Sequence, residues 1–255
     1  MINSIEIKEK AREFGVPVST IERDYSQNLL LKNLNSINMA IKGGTGIRKV
    51  FIKNYRFSDD LDFTLLETIR KEEVLKRLER AVMLAKEESG INYFNDVSVK
   101  DTESGWKYTI KFQMSQVMKI DIDITLLEKE KIVYPIERRK IIHIFSDRIE
   151  GFIKSYSLKE IFIEKLRSLI ERNFPRDLYD VWYLAKNKKI EVEREKIIEK
   201  FNFKNVKLNS KILLKNKNKI LNAWESSLKN QIKDIPEFNR VFEEVMEILK
   251  NYKIN

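Results

Sequence analysis

Apolar residues recur along this chain with two periods. The two are interleaved over the first 155 residues, and only the helical one continues beyond. Ser19-Thr20-Ile21-Glu22 reads as a capping box opening a helix that runs to about Leu34. Met39-Ala40-Ile41 is a short apolar run reaching Gly43-Gly44, which predicts a buried strand entering a tight turn, with a helix following from Thr45. Leu61, Phe63 and Leu65 alternate with Asp60, Asp62 and Thr64, the period of a strand. A helix is expected from Thr68, with Val74, Leu75, Leu78, Ala81, Val82 and Ala85 on one stripe and Gly90 at its end. After a turn at Ser104-Gly105, Tyr108, Ile110, Phe112 and Met114 predict a strand, and Ile120, Ile122 and Ile124 another. Ile141 to Ile144 suggest one more. Beyond Gly151 the pattern is helical. Ser157-Leu158-Lys159-Glu160 is a second capping box, and its helix carries Ile161, Phe162, Lys165, Leu166, Leu169 and Ile170. Pro175 separates this helix from one starting near Arg176, and the stretch 237–252 is amphipathic through Phe242, Val245, Met246 and Leu249. The expectation is an α+β chain: a mixed α/β domain over residues 1–155, then a helical domain over 156–255, with no Pro/Gly/Ser linker between them.

Composition narrows the chemistry. The 255 residues include no cysteine and one histidine. Disulfides, thiol nucleophiles, zinc ribbons and iron–sulfur clusters are excluded, and a Ser-His-Asp triad is improbable. A divalent metal would have to rest on carboxylates, which favours Mg²⁺ or Mn²⁺. The N-terminal MINSIEIKEKAREFG has no apolar signal core, and no apolar run approaches the roughly 20 residues of a membrane span. A cytoplasmic protein without a membrane partner is expected. The net charge of +10 suits a polyanionic partner such as nucleic acid or a nucleotide, although on charge alone a Lys- and Asn-rich proteome shaped by base composition is the stronger explanation.

The informative chemistry is Gly43-Gly44-Thr45, then 14 residues, then Asp60-Leu61-Asp62. Carboxylates at i and i+2 on a strand share a face and repel unless a cation sits between them. Mg²⁺ bound by one or two carboxylates and by phosphate oxygens resolves that cost. A Gly-Gly-Thr turn entering a helix offers backbone N–H groups and a hydroxyl to phosphates. Together these are the minimal kit for nucleotidyl transfer. Asp121 and Asp123 form a second acidic face, from which a third metal ligand is expected; Asp121 is the preferred of the two, and a solvated edge strand explains the pair as well. Phe201 to Ile220 hold six lysines (Lys204, Lys207, Lys211, Lys215, Lys217 and Lys219) and no acid, a candidate grip on an RNA backbone or simply a solvated face. Phe201 and Phe203 suit core anchoring better than base stacking. His143, within Ile141-Ile142-His143-Ile144, reads as a packed strand histidine.

Lys42-Gly43-Gly44-Thr45 followed by Arg56-Phe57-Ser58-Asp59-Asp60-Leu61-Asp62-Phe63 resembles the signature of the AbiEii/AbiGii toxin nucleotidyltransferases, relatives of the MenT toxins in the DNA-polymerase-beta-like superfamily. Ile21-Glu22-Arg23-Asp24-Tyr25 is similar to the family's acidic N-terminal motif. Ser157 to Glu160 with Glu164-Lys165-Leu166 resemble its lysine helix, and Arg172 with Arg176-Asp177-Leu178-Tyr179-Asp180 its final motif. The likeness spans about 19–186, with Gly46 where the family more often has Ala. It implies a polymerase-beta-like core and a helical domain that brings Lys165 and Asp180 to the cleft. It also implies a toxin of a toxin–antitoxin or abortive-infection system that moves a nucleoside monophosphate from an NTP to an acceptor, the tRNA 3′ end among relatives, beside a cognate antitoxin. In the implied roles Asp60 and Asp62 hold Mg²⁺ and are catalytic. Gly43, Gly44 and Thr45 cradle phosphates, Arg56 and Ser58 steady the metal loop or touch the triphosphate, and Lys165, counted with Asp180 as catalytic, neutralises phosphate charge, while Asp177 or Asp180, the latter the family-like choice, orients Lys165 or assists the incoming hydroxyl. A protein-modifying transferase and a non-catalytic nucleotide-binding module are the alternatives.

Overall fold

A computed structural model describes residues 2–254. The chain divides into two compact units, one formed by Met1–Glu130 with Ile136–Tyr156, the other by Lys131–Pro135 with Ser157–Asn255.

The first unit is built on a mixed sheet. Its strands are β1 (Met39–Lys42), β2 (Leu61–Leu65), β3 (Asn92–Tyr93), β4 (Ser98–Thr102), β5 (Gly105–Gln113), β6 (Val117–Thr125), β7 (Ile136–Lys140) and β8 (Phe152–Tyr156). The order is β3-β5-β6-β2-β1-β8-β7, with β4 also on β5. β1 runs antiparallel to β2 and parallel to β8, and β2 runs parallel to β6. Helices α1 (Ser4–Phe14), α2 (Val18–Asn33) and α4 (Lys71–Ser89) share one core with Ile41, Leu61, Phe63, Tyr108, Ile110, Ile120 and Ile122. Strand side chains alternate in direction, so Asp62, Lys107, Asp121 and Asp123 stand on the opposite face. The core alternation thereby sets the orientation of the acidic positions.

Several sequence expectations shift. Ser19 does not cap α2. The N-cap is Pro17, without a side-chain hydrogen bond, and Glu22 instead receives the amide and hydroxyl of Ser115. Proline's fixed φ and missing N–H suit a helix entry, so the helix begins one residue before Ser19. The helix expected from Thr45 starts at Gly43: α3 is the single turn Gly43–Gly46, continued by a π-helical turn Ile47–Phe51. α4 starts at Lys71 rather than Thr68, with Glu72 and Glu73 complementing the dipole of its first turn, and Gly90 closes it at φ +70°. Ile141 to Ile144 are not a strand. The β7–β8 pairing ends at Lys140↔Phe152, after which the Ile142 amide turns away to the Lys49 carbonyl. His143 accordingly lies in a loop, its side chain covered and bonded to Asn28 and Asp147.

The second unit is helical: α5 (Leu158–Arg172), α6 (Pro175–Asn187), α7 (Arg194–Phe203), α8 (Lys211–Lys215), α9 (Lys217–Leu228) and α10 (Phe238–Asn251). Ser157 caps α5 by accepting the Glu160 amide, as its box predicts. The reciprocal half of the box is absent, because the Glu160 side chain is committed elsewhere. One carboxylate oxygen accepts the amides of Val133 and Tyr134, and the other pairs with the fully buried Lys200 at 2.8 Å. Lys200 also meets Glu164 at 3.0 Å and donates to the Lys131 carbonyl, so its buried ammonium is held by two carboxylates and a carbonyl. Pro175 occupies the first turn of α6, where its missing N–H costs nothing.

Candidate active site

The antiparallel register of β1 on β2 sets Lys42 opposite Asp62, so the chain leaves β1 beside that acid. Gly43 then adopts φ +68°, a conformation L side chains rarely take, and a Cβ there would collide with Asp62 Oδ2. A Cβ on Gly44 would lie 2.7 Å from Arg56 Nη2 and 3.3 Å from Ser58 Oγ. The fold thus draws Gly43, Gly44, Arg56, Ser58 and Asp62 together, all five expected from sequence. Thr45 is used differently from the expectation. It is fully buried, and its hydroxyl donates to the Asp60 carbonyl, which ties the glycine turn to the acidic loop and withdraws that hydroxyl from any phosphate. Asp60 bears the electrostatic mark of the site. Burial, and next the Asp62 carboxylate beside it, push its pKa up to about 6.

The loop between Ile52 and Asp60 is held from α2, which sequence reasoning did not anticipate. Gln27 Nε2 donates to the carbonyls of Ser58 at 3.2 Å and Asp59 at 2.8 Å, and Arg23 pairs with the Asp59 carboxylate. One turn away on α2, buried Asp24 receives Arg48 Nε and Lys49 Nζ from the π-helical turn, at 2.8 and 2.7 Å. Arg48 in turn donates to the Tyr55 carbonyl and lies over the Phe57 ring. Burial works to raise Asp24, but the two cations outweigh it and hold the carboxyl below its usual range. Burial also pulls Lys49 down to about 8. The acidic motif visible around Arg23-Asp24 therefore serves to brace the loop.

On the neighbouring strand, the parallel register places Asp123 level with Asp62. Asp123 meets Lys107 Nζ at 2.8 Å. Asp121, expected as the third metal ligand, accepts the Thr109 hydroxyl at 2.7 Å and pairs with Lys119 at 2.9 Å, with Lys107 at 3.9 Å. Burial works to raise Asp121, yet these donors lower it overall. Among the described residues no three carboxylate or imidazole groups stand close enough to hold one ion, so the expected trio is not preassembled. The physical reason is that lysines on the sheet already neutralise the third strand. Asp60 and Asp62 form a crowded pair of carboxylates beside a glycine turn that Arg56 also approaches. That donor set fits a hard divalent cation that takes its remaining ligands from water and phosphate.

In the helical unit, Lys165 is buried between Asp177 at 3.0 Å and Asp180 at 2.8 Å. Asp177 also takes two hydrogen bonds from Arg172, whose guanidinium lies over exposed Phe174. Burial opposes ionisation of Asp177, but Lys165 and Arg172 together hold it below its ordinary value. Either acid was expected to orient Lys165, and both touch it. In the basic stretch, Lys207, Lys211, Lys215 and Lys219 are exposed. Phe201 is a buried anchor, whereas Phe203 is 42% exposed with Lys204 over its ring.

Among the described residues no helix is long and apolar enough to cross a membrane. A family model described as nucleotidyl transferase AbiEii toxin, type IV TA system, matches residues 28–249. No curated protein matches the chain. Among solved structures, JHP933 from Helicobacter pylori is similar at 20% identity, with a TM-score of 0.64 and 93% of each chain covered. MenT4, a nucleotidyltransferase toxin from Mycobacterium tuberculosis, is similar at 18% identity and a TM-score of 0.60, over 77% of this chain and 68% of that one.

Proposed function

This chain belongs to the AbiEii nucleotidyltransferase toxin family, and from that premise we propose that it moves a nucleoside monophosphate from an NTP to a hydroxyl of RNA, the 3′ end of tRNA, with Mg²⁺ or Mn²⁺. The observation that carries this reading is the acid pair packed against the glycine turn, where burial and then the neighbouring Asp62 carboxylate raise the pKa of Asp60 to about 6. A divalent ion, when bound, screens the triphosphate and polarises its α-phosphate. Asp60 and Asp62 would hold it. The amides of Gly43 and Gly44, in a first helical turn without intrahelical acceptors, donate to the β- and γ-phosphates. Arg56 and Ser58 steady the acidic loop against that turn. Lys165, fixed by Asp177 and Asp180, neutralises phosphate charge, a task suited to a compact ammonium. The acceptor oxygen bonds to the α-phosphorus and its proton passes to solvent water, while the bridging P–O bond to the β-phosphate breaks and pyrophosphate leaves with the bond's electron pair. The exposed lysines of 207–219 give an RNA acceptor a backbone grip. Membership of a type IV toxin–antitoxin family implies an antitoxin partner as well.

The test incubates the protein, Mg²⁺ and each of the four α-labelled NTPs with total tRNA and with cell lysate. Label that survives protease and is lost to RNase is the expected result, and Asp62→Asn should abolish it. Label that survives RNase and is lost to protease would identify a protein acceptor. No label with any NTP would leave a nucleotide-binding module without transfer.

A further inference from the structure

The turn between α5 and α6 carries an aromatic ring where a short polar side chain is usual. α5 ends at Arg172, Asn173 takes the left-handed conformation at φ 57° that lets the chain reverse, and Pro175 opens α6. Phe174, between them, is the N-cap of α6, the position from which Ser, Thr, Asp or Asn would bond a free helix amide. Phe174 makes no such bond, and 47% of it is exposed. The ring is thus presented at the surface of the helical unit.

Its neighbours are charged and fixed. Arg172 reaches Asp177 through Nε at 2.7 Å and Nη2 at 3.0 Å, two bonds that lock the plane of the guanidinium. The guanidinium carbon lies 5.2 Å from the centre of the Phe174 ring. Asp177 Oδ1, which accepts from Arg172, also accepts from Lys165 Nζ at 3.0 Å. One carboxylate therefore joins ring and guanidinium to the ammonium, within the span of a single nucleotide. A nucleotide offers matching groups in the same order, a flat π-face at one end and phosphate oxygens at the other. Aromatic stacking accepts any base, a guanidinium adds cation–π attraction, and a compact ammonium suits phosphate.

We propose that Phe174, with Arg172 beside it, is a stacking ledge for a nucleobase whose phosphate meets Lys165. The base comes from the incoming NTP or from the end of the acceptor RNA, and the chemistry of recognition is the same for both. The inference deepens the phosphate role given to Lys165 above and rests on it.

Equilibrium binding to the full-length protein, read by calorimetry with Mg²⁺ and without turnover, uses three probes. These are the α,β-methylene analogues of the four NTPs, inorganic triphosphate, which has phosphates and no base, and unmodified tRNA. Phe174→Ala should weaken the tightest-binding analogue by about fivefold or more and leave inorganic triphosphate as it was. Phe174→Tyr should restore the affinity, and Phe174→Leu, apolar but without a π-face, should not. The same pattern confined to tRNA assigns the ledge to the acceptor's end base. Unchanged affinity of Phe174→Ala for analogue and tRNA alike would overturn the proposal. Full rescue by Leu would do the same, as would a parallel fall for inorganic triphosphate, the mark of a merely structural role. Lys165→Met separates the two readings. Unchanged binding of inorganic triphosphate there removes the phosphate role of Lys165, while the Phe174 variants still decide the ledge. A wild-type chain that binds neither analogue nor tRNA overturns both.

Discussion

At Asp60, two environments compete for one proton. Burial and the Asp62 carboxylate favour the neutral acid, with a pKa of about 6, whereas a bound cation favours the carboxylate. Below pH 6 the proton wins and the ion is excluded. Transfer should therefore climb through about pH 6, by up to tenfold per pH unit on the acid side. Raising Mg²⁺ should move the midpoint to lower pH, since the ion competes with the proton for one group. Asp60→Asn should give a low, flat profile, and a wild-type rate constant between pH 5 and 7 would refute the assignment. Asp60 and Asp62 were legible in the sequence because a spacing of two on a strand fixes a shared face with no further information. The use of Thr45 was not. A hydroxyl in a turn suits a phosphate and a nearby carbonyl equally well, and only the approach of Asp60, 15 residues away, decides between them.

Among the elements, α2 has the heaviest mechanical role for the site, because Gln27, Arg23 and Asp24 together restrain the segment that ends in the acid pair. Replacing Gln27 with Met keeps volume and removes both hydrogen bonds, leaving two carbonyls of the loop without that donor at a cost of about 1–3 kcal/mol. The expected result is at least a tenfold loss of transfer with a parallel loss of Mn²⁺ affinity, read by kinetics and by ion titration. Gln27→Glu should fail likewise, since a carboxylate cannot donate; wild-type behaviour in either variant would dismiss the clamp. This role was hidden from the sequence because the partners are 31 and 32 residues apart and Gln27 sits in an ordinary helical pattern. Local grammar fared better at Ser157, where the cap and the apolar stripe agree. It failed at Ser19, whose box lies inside a helix already begun from Pro17, and at Ile141 to Ile144, where a half-buried apolar run makes no ladder. Lys107 was invisible for a related reason: its meaning comes from strand register, which is set by pairing across the sheet.

For the whole molecule, the charge of +10 matters through its placement. Lys207, Lys211, Lys215 and Lys219 are exposed within one short stretch. Changing all four to Gln should weaken binding to single-stranded tRNA ends and lower the slope of log affinity against log salt by about 3, at roughly 0.7 per phosphate contact. An unchanged slope would return the stretch to being a solvated surface. The strand order has a different consequence for the antitoxin that the family implies. One outer margin of the sheet is formed by the two-residue β3 together with the five-residue β4, whose Lys100 and Asp101 are exposed, and the other is β7, whose Arg138, Arg139 and Lys140 are exposed. Short or charged rims discourage a foreign chain from zipping on by main-chain bonding. An inhibitor that blocks this protein by direct binding must therefore grip side chains on its surface, and a peptide designed merely to extend the sheet should leave it active.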